Sequence, residues 1–237
     1  MSSESLVDLG DGFALRPATA ADSAGCYAVC CGTGDSGKDA SHLYAADPDA
    51  LGRLYTQPYL ELEPAHAFVV VDAGGAVVGY TFGAFDSAAF YRRFLCEYLP
   101  AVRARHPDPP GPAEGWSPVQ AAHHEYHAYA PWMPPSVLEF FPSHLHIDLL
   151  PVAQGRGLGA KVMARQFASL RGAGSPGVHL CMGTRNRRAY GFYKKLGFME
   201  LHRHGDDIHL GMRLAAVPPR PPRPLTAGVI EGVFGAM

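Results

Sequence analysis

The chain has 237 residues and a mass of 25.4 kDa, and its 47% apolar and 18% charged residues exclude a disordered or fibrous polymer. Twenty basic side chains against twenty-two acidic ones leave a formal charge of -2, so no global field draws nucleic acid or an anionic membrane, and any anion site must be local. No apolar run approaches the roughly 20 residues that span a bilayer, and Met1 to Gly10 lacks the basic and apolar regions of a leader; the expectation is a cytoplasmic protein without nucleic-acid or membrane partners.

Phe13 to Arg16 reads as a short strand running into Pro17, after which Thr19 or Asp22 can cap a helix carrying Cys26, Tyr27, Val29 and Cys30. Over residues 36–63, Asp47-Pro48 marks a turn and Leu51, Leu54 and Tyr55 recur at helical spacing, which predicts a second short helix. Ala67 to Asp72, the turn Ala73-Gly74-Gly75, and Ala76 to Phe85 form a hairpin whose two strands should both be buried. Residues 86–135 then break the pattern, with an aromatic helix from about Ala88 to Arg105 and a loop rich in proline, histidine and tryptophan. This stretch reads as an insertion.

Regular order resumes with a strand, His144 to Leu150, a glycine turn, and a helix from about Leu158 to Arg171 with Leu158, Val162, Phe167 and Leu170 on one face. Gly172, Gly174 and Pro176-Gly177 end it, Val178 to Met182 makes the next strand, parallel to the previous one, and Asn186 opens a helix that closes at Gly197. Phe198 to His204 and Ile208 to Leu214 form a last hairpin. The sum is an α/β (α+β) domain over 1–216, with a mixed sheet of about seven strands, helices on both faces and the insertion after the third strand. Residues 217–237 begin VPPRPPRP and read as a polyproline arm; Val229, Ile230, Val233 and Phe234 within it could also dock. Cys26, Cys30, Cys31, Cys96 and Cys181 are odd in number and lack CxxC spacing, so they read as reduced thiols.

The run Leu149-Leu150-Pro151-Val152-Ala153-Gln154-Gly155-Arg156-Gly157-Leu158-Gly159-Ala160 feeds a strand through three alternate glycines directly into a helix. Such a turn traps anions: unpaired N–H groups and the helix dipole point outward, and missing β-carbons admit a pyrophosphate. Arg156 can add a charge-assisted bond. Gly155, Gly157 and Ala160 also satisfy the dinucleotide fingerprint GxGxxA, but the ribose-binding acid expected about 20 residues on has no counterpart in Val178 to Met182. A turn with no ligand is the third reading.

Gln154-Gly155-Arg156-Gly157-Leu158-Gly159 resembles the Q/R-x-x-G-x-G/A signature of the GNAT acetyltransferase superfamily, and Asn186-Arg187-Arg188-Ala189-Tyr190-Gly191-Phe192-Tyr193-Lys194-Lys195-Leu196-Gly197-Phe198 matches that family's N-x-x-A-x-x-F-Y-x-x-x-G-F pattern. Leu15-Arg16-Pro17-Ala18-Thr19 is similar to its opening strand and turn. Within the superfamily, the stretch His144 to Pro151 and the helix after it are similar to the acetyltransferase-like C-terminal domain of O-GlcNAcase. The resemblance implies a GNAT fold and transfer of acetyl from acetyl-CoA directly to a small-molecule or peptide amine. It places the pantetheine arm in a splay between the strands His144–Leu150 and Val178–Met182. Cofactor contacts then fall on Leu149, Leu150, Val152, Gln154, Gly155, Arg156, Gly157, Leu158, Gly159, Ala160, Asn186, Phe192 and Tyr193.

An alkylamine with a pKa near 10.4 is protonated at neutral pH, so attack needs a base. Asp148 and His146, sharing a strand face with His144 and Leu150, are the candidates; Asp148 held structurally by an arginine or an amide is the alternative. An amide near Leu150 is the expected oxyanion donor. Tyr193, on the family's tyrosine position, would give a proton to the departing thiolate, and its phenol would otherwise simply pack in the core. Asn186 can cap its helix, reach the cofactor, or both. Cys181 as a nucleophile is disfavoured because strand cysteines are usually inert packing. His144, His146 and Asp148 with His123, His124 and His127 could in principle hold zinc, but the expected chemistry needs no metal, and none is assigned. The insertion is expected to line the acceptor side as a lid. A binding protein that holds acetyl-CoA without catalysis, and a dinucleotide-binding oxidoreductase, are the competing functions; the oligomeric state is open, a homodimer among the options.

Overall fold

The computed structural model describes residues 6–214; the proline-rich arm expected over 217–237 lies outside them. In chain order the elements are β1 (Val7–Gly10), β2 (Phe13–Pro17), α1 (Ser23–Cys31), α2 (Ala50–Tyr55), α3 (Gln57–Leu62), β3 (Ala67–Val71), β4 (Val77–Ala84), α4 (Ser87–Arg93), α5 (Leu99–Arg105), α6 (Pro118–Ala128), α7 (Pro135–Leu138), β5 (Ser143–Leu149), α8 (Leu158–Gly172), β6 (Gly177–Gly183), α9 (Arg187–Leu196), β7 (Met199–His204) and β8 (Asp207–Arg213). The strands make one eight-stranded sheet in the order β1-β2-β3-β4-β5-β6-β8-β7. The strand beyond the expected seven is β1, an edge strand bulged between Asp8 and Gly10 with only Leu9 buried. Four residues with one apolar contact carry no alternation that a sequence pattern can register.

The expected hairpin is β3 and β4, buried along nearly their whole length. Every pairing in the sheet is antiparallel except that of β5 with β6. Strand β5 pairs with β4 from Ala84↔His144 through Gly79↔Leu149, yet it meets β6 only at Ser143↔Val178 and His144↔His179. Beyond that point β6 stays with β8 as far as Gly183↔Asp207. A wedge therefore opens between the C-terminal halves of two parallel strands.

Strand alternation sends the two faces of the sheet to different cores. On one face Val69, Val71, Tyr80, Phe82 and Ala84 pack with Cys26 and Val29 of α1, Leu51 and Leu54 of α2 and Tyr59 of α3. On the other, Phe68, Val70 and Val78 meet Leu158 and Val162 of α8, while Val178, Leu180, Met182 and Leu210 meet Met163, Phe167 and Leu170 of α8 and Tyr193 of α9. Helix α8 thus spans both halves of the split sheet.

The stretch 86–135 is no removable appendage, since Phe90, Phe94, Tyr98, Leu99, Val102 and Tyr126 belong to the first core. Its expected single aromatic helix is two, joined by a widened turn at Phe94–Tyr98 just before Pro100 of α5. Proline supplies no N–H to the ladder, and a wide turn is one way the helix accommodates it. The expected loop after His106 contains a further helix, α6: Ser117 Oγ accepts from Gln120 N, the Gln120 side chain accepts from Ser117 N, and Pro118 occupies the first helical position.

Candidate functional site

Residues Pro151–Ala153 make one tight turn after β5, and the chain then enters α8 through Gly155 and Gly157, both left-handed with φ +76° and +74°. A side chain is strained in that region, and the space where each Cβ would stand is open. Gly157 is the N-cap and offers no capping side chain. Ala160 N bonds back to the Gly157 carbonyl, but the amides of Gly155, Arg156, Gly157, Leu158 and Gly159 have no hydrogen-bond acceptor among the described residues. Five successive donors with the helix dipole behind them form a nest for an anion. Leu158 is buried beneath it, Ala160 and Val152 are exposed beside it, and a Cβ on Gly159 would come within 3.2 Å of the Phe192 ring, so α8 starts directly against α9.

Gln154 spans the mouth of the wedge: its amide nitrogen donates to the Leu149 carbonyl on one wall, and its oxygen accepts from Arg188 of α9 on the other. Arg156 leans away, donating from Nε to the Val152 carbonyl with Nη1 3.6 Å from Asp11. Asn186 caps α9 by accepting from Ala189 N at 3.0 Å, and Arg185, Arg187 and Arg188 stand exposed around it. Leu150 N–H, the amide expected to meet an oxyanion, is instead bonded to the Val78 carbonyl at 2.9 Å. Alternation along an antiparallel ladder then turns the N–H groups of Ile147 and Leu149 toward the wedge.

Asp148 and His146 lie together on the face of the first core, half-buried, with His146 Nε2 3.1 Å from Asp148 Oδ2. Tyr80, opposite Asp148 in the register of β4, donates its hydroxyl to the same oxygen at 2.6 Å, leaving Oδ1 without a hydrogen bond among the described residues. His146 Nδ1 is 3.0 Å from the Tyr55 carbonyl, which can only accept, so Nδ1 carries a proton. Burial alone would lower the His146 imidazole, but the Asp148 carboxylate beside it holds it above the usual histidine range. Among the described residues no arginine pairs with Asp148; its partners are a phenol and an imidazole.

Tyr193 reaches the wedge from the opposite face. Its ring packs edge-on against Phe198, its hydroxyl has no hydrogen-bond partner among the described residues, and burial with the Asp148 charge raises its phenol well above the usual value. The Asp148–His146 pair therefore lies on one face of the sheet, beside Tyr80, and the Tyr193 phenol packs in the core of the other.

The remaining histidines do not gather as the sequence allowed. His144 is buried in the aromatic core, stacked on Tyr91 at 4.8 Å, with burial keeping it neutral. His124 pairs with Asp108, His127 bonds the His106 carbonyl, and His123 Nε2 is 2.8 Å from Asp47. Asp47, His106 and His123 offer ligand atoms within 4.8 Å of one another, but both carboxylate oxygens of Asp47 are held by Arg53, a closed ion-pair pin between α2 and α6. All five cysteines are free. Cys181 is exposed rather than buried, and its thiol is pushed up to about 12 by partial withdrawal from water and by Asp207, which disfavours a thiolate nucleophile. Tyr80 and Tyr55 escaped the sequence reading, since only cross-strand register and tertiary packing bring them to Asp148 and His146.

Solved structures give the split sheet its family. SsHAT is 35% identical, with 86% of this chain and 99% of that one superposed at a TM-score of 0.76. The yncA protein of Salmonella typhimurium, solved with its cofactor acetyl-CoA, shares the fold at 15% identity over 89% of this chain and 99% of its own, TM-score 0.51. The chain belongs to the GNAT acetyltransferase superfamily. Among characterised proteins it is similar to O-GlcNAcase of Mus musculus, 25% identical over 189 residues, and equally to that of Rattus norvegicus. That match covers 80% of this chain and only 20% of the mouse and rat proteins, so it concerns one segment of a much longer polypeptide. No protein-family model matches the chain. No helix among the described residues is long and apolar enough to cross a membrane.

Proposed function

We propose that the chain is an N-acetyltransferase that takes acetyl-CoA in the wedge and transfers the acetyl group directly to an amine. The observation that carries this is the conjunction of the wedge between β5 and β6 with five unpaired amides at the head of α8. The residues fit the cofactor: the amides of 155–159 would hold its diphosphate, the exposed arginines before and within α9 would meet its remaining phosphate charge, and the free edge of β5 would pair with its amide-bearing arm. Acetyl-CoA, when bound, supplies an acetyl group already activated as a thioester.

The amine enters on the side of Asp148 and His146, which take its proton so that nitrogen regains its lone pair. Leu149 N–H, turned into the wedge, donates to the carbonyl oxygen as negative charge develops there. Tyr193, a phenol that carries its proton at neutral pH and is raised further by burial, donates a hydrogen bond to the sulfur from the other face. Cys181 takes no part. Calorimetry should give binding of acetyl-CoA and CoA and none of NAD, as β6 offers no acid for a ribose. Thiol release with an amine panel should fall about 10²-fold in Tyr193→Phe and in Asp148→Asn, with acetyl-CoA affinity kept. Acetyl-CoA binding with no release for any amine would leave a protein that holds the cofactor without using it.

A further inference from the structure

The carboxylates around the wedge outnumber what the transfer of one proton needs. His144 and His179 are paired in register, their ring centroids 5.7 Å apart, so β5 and β6 present 144, 146, 148 and 179, 181, 183 to the same face. Asp148 therefore stands on one wall of the wedge and Gly183 on the other, and Gly183 is paired with Asp207 of β8. Asp207 shares its face with His209, whose Nε2 is 3.9 Å from Cys181 Sγ.

A third carboxylate arrives from above. Glu125 of α6 accepts the Tyr55 hydroxyl at 2.7 Å, and the same Tyr55 holds His146 through its carbonyl, their rings 6.2 Å apart. Glu125 is thus one tyrosine away from the proposed base. Aromatic rings lie on the same face of the sheet: Tyr91 stacks on His144 at the closed end of the wedge and lies 6.1 Å from Tyr129, and Trp132 stacks on His209 at 3.9 Å. Asp148 has His146 as its counter-ion, but neither Glu125 nor Asp207 forms an ion pair among the described residues.

We propose that the acceptor carries a second cationic group beside the reacting amine, and that Glu125, with Asp207 opposite, binds that group on the aromatic-lined face beside the wedge. The inference rests on the amine-acetyltransferase reading and adds the class of acceptor to it. A half-buried carboxylate with no cation is costly. Burial raises the Glu125 carboxyl above its usual range, and a bound ammonium would draw it back down. No acidic run in the sequence announces such a site, because Glu125, Asp148 and Asp207 come from three distant segments.

The test compares α,ω-diamines with alkylamines of the same carbon number by thiol release, in the full chain and in Glu125→Gln and Asp207→Asn. The diamine should have a KM about tenfold below that of its monoamine, the size of one charge-assisted bond, and Glu125→Gln should collapse that ratio, Asp207→Asn reducing it less. An unchanged ratio in Glu125→Gln, or equal losses for both amines as a merely structural glutamate would give, overturns the proposal. A peptide amide with lysine beside arginine, run in parallel, tells a free diamine from a basic peptide as the source of the second charge. Should no amine be turned over, the transfer reading fails, yet calorimetry of the diamine on CoA-saturated protein still decides this one: affinity lost in Glu125→Gln supports it, and equal or absent affinity in both proteins overturns it.

Discussion

His146 is held by two acceptors at once, the Tyr55 carbonyl at Nδ1 and the Asp148 carboxylate at Nε2, so its protonated form is favoured. A raised imidazole means that the pair keeps its proton to higher pH than a free histidine would and becomes a competent base as the pH rises through the His146 value. The acid limb of kcat/KM should accordingly lie above the usual histidine range. In Asp148→Asn the attraction goes while burial, which lowers the imidazole, stays; the limb should then move to lower pH as the plateau falls. A limb that keeps its position in this variant means that the limb does not report His146 beside the Asp148 carboxylate. Asp148, His146 and Tyr193 were legible in the sequence, two by strand alternation and one by a motif. Tyr80, Tyr55 and Glu125 were not, because what selects them is the register of β4 against β5 and the packing of α2 and α6.

Among the elements, the passage from β2 into α1 rests on Asp22, which accepts from both terminal nitrogens of Arg16 at 2.7 and 2.8 Å and from the amide and hydroxyl of Thr19. Hydrogen bonds from Arg16 lead in holding this carboxyl at about 2, below the usual carboxylate range. A depressed value stabilises the fold above the unfolded pKa near 3.9, and the contribution is lost as the pH falls from there through about 2. Asp22→Asn should therefore lower the unfolding free energy by roughly 2 kcal/mol at neutral pH, with the difference from wild type shrinking through the acid range; urea midpoints at several pH values measure it. A constant difference at all pH values would place the effect in shape rather than charge. Long apolar strands such as β3 and β4 and the amphipathic α8 were readable because each carries a full period of its own pattern. Strand β1 was too short for that. Helix α6 was hidden by its prolines and histidines, although Ser117-Pro118-x-Gln120 spelled out a capped start.

At the scale of the whole molecule, the sheet is two halves joined by one short parallel contact and by α8, which places Leu158 and Val162 against one half and Met163, Phe167 and Leu170 against the other. The backbone edges facing the wedge are unpaired in the interior of the sheet, as the outer edges of β1 and β7 are at its rims, so they and the 155–159 amides should exchange readily with solvent. A ligand that pairs with β5 and sits on the nest supplies acceptors to both places at once. Hydrogen exchange with and without acetyl-CoA should then show protection confined to Ile147, Leu149 and 155–159, with β3 and β4 unchanged, and the unfolding temperature rising with the logarithm of ligand concentration. The pattern discriminates because its two parts have separate causes. Protection of the nest without Ile147 and Leu149 would mean a diphosphate held at α8 with its arm outside the wedge, and in that geometry neither Tyr193 nor the His146–Asp148 pair could reach the acetyl group.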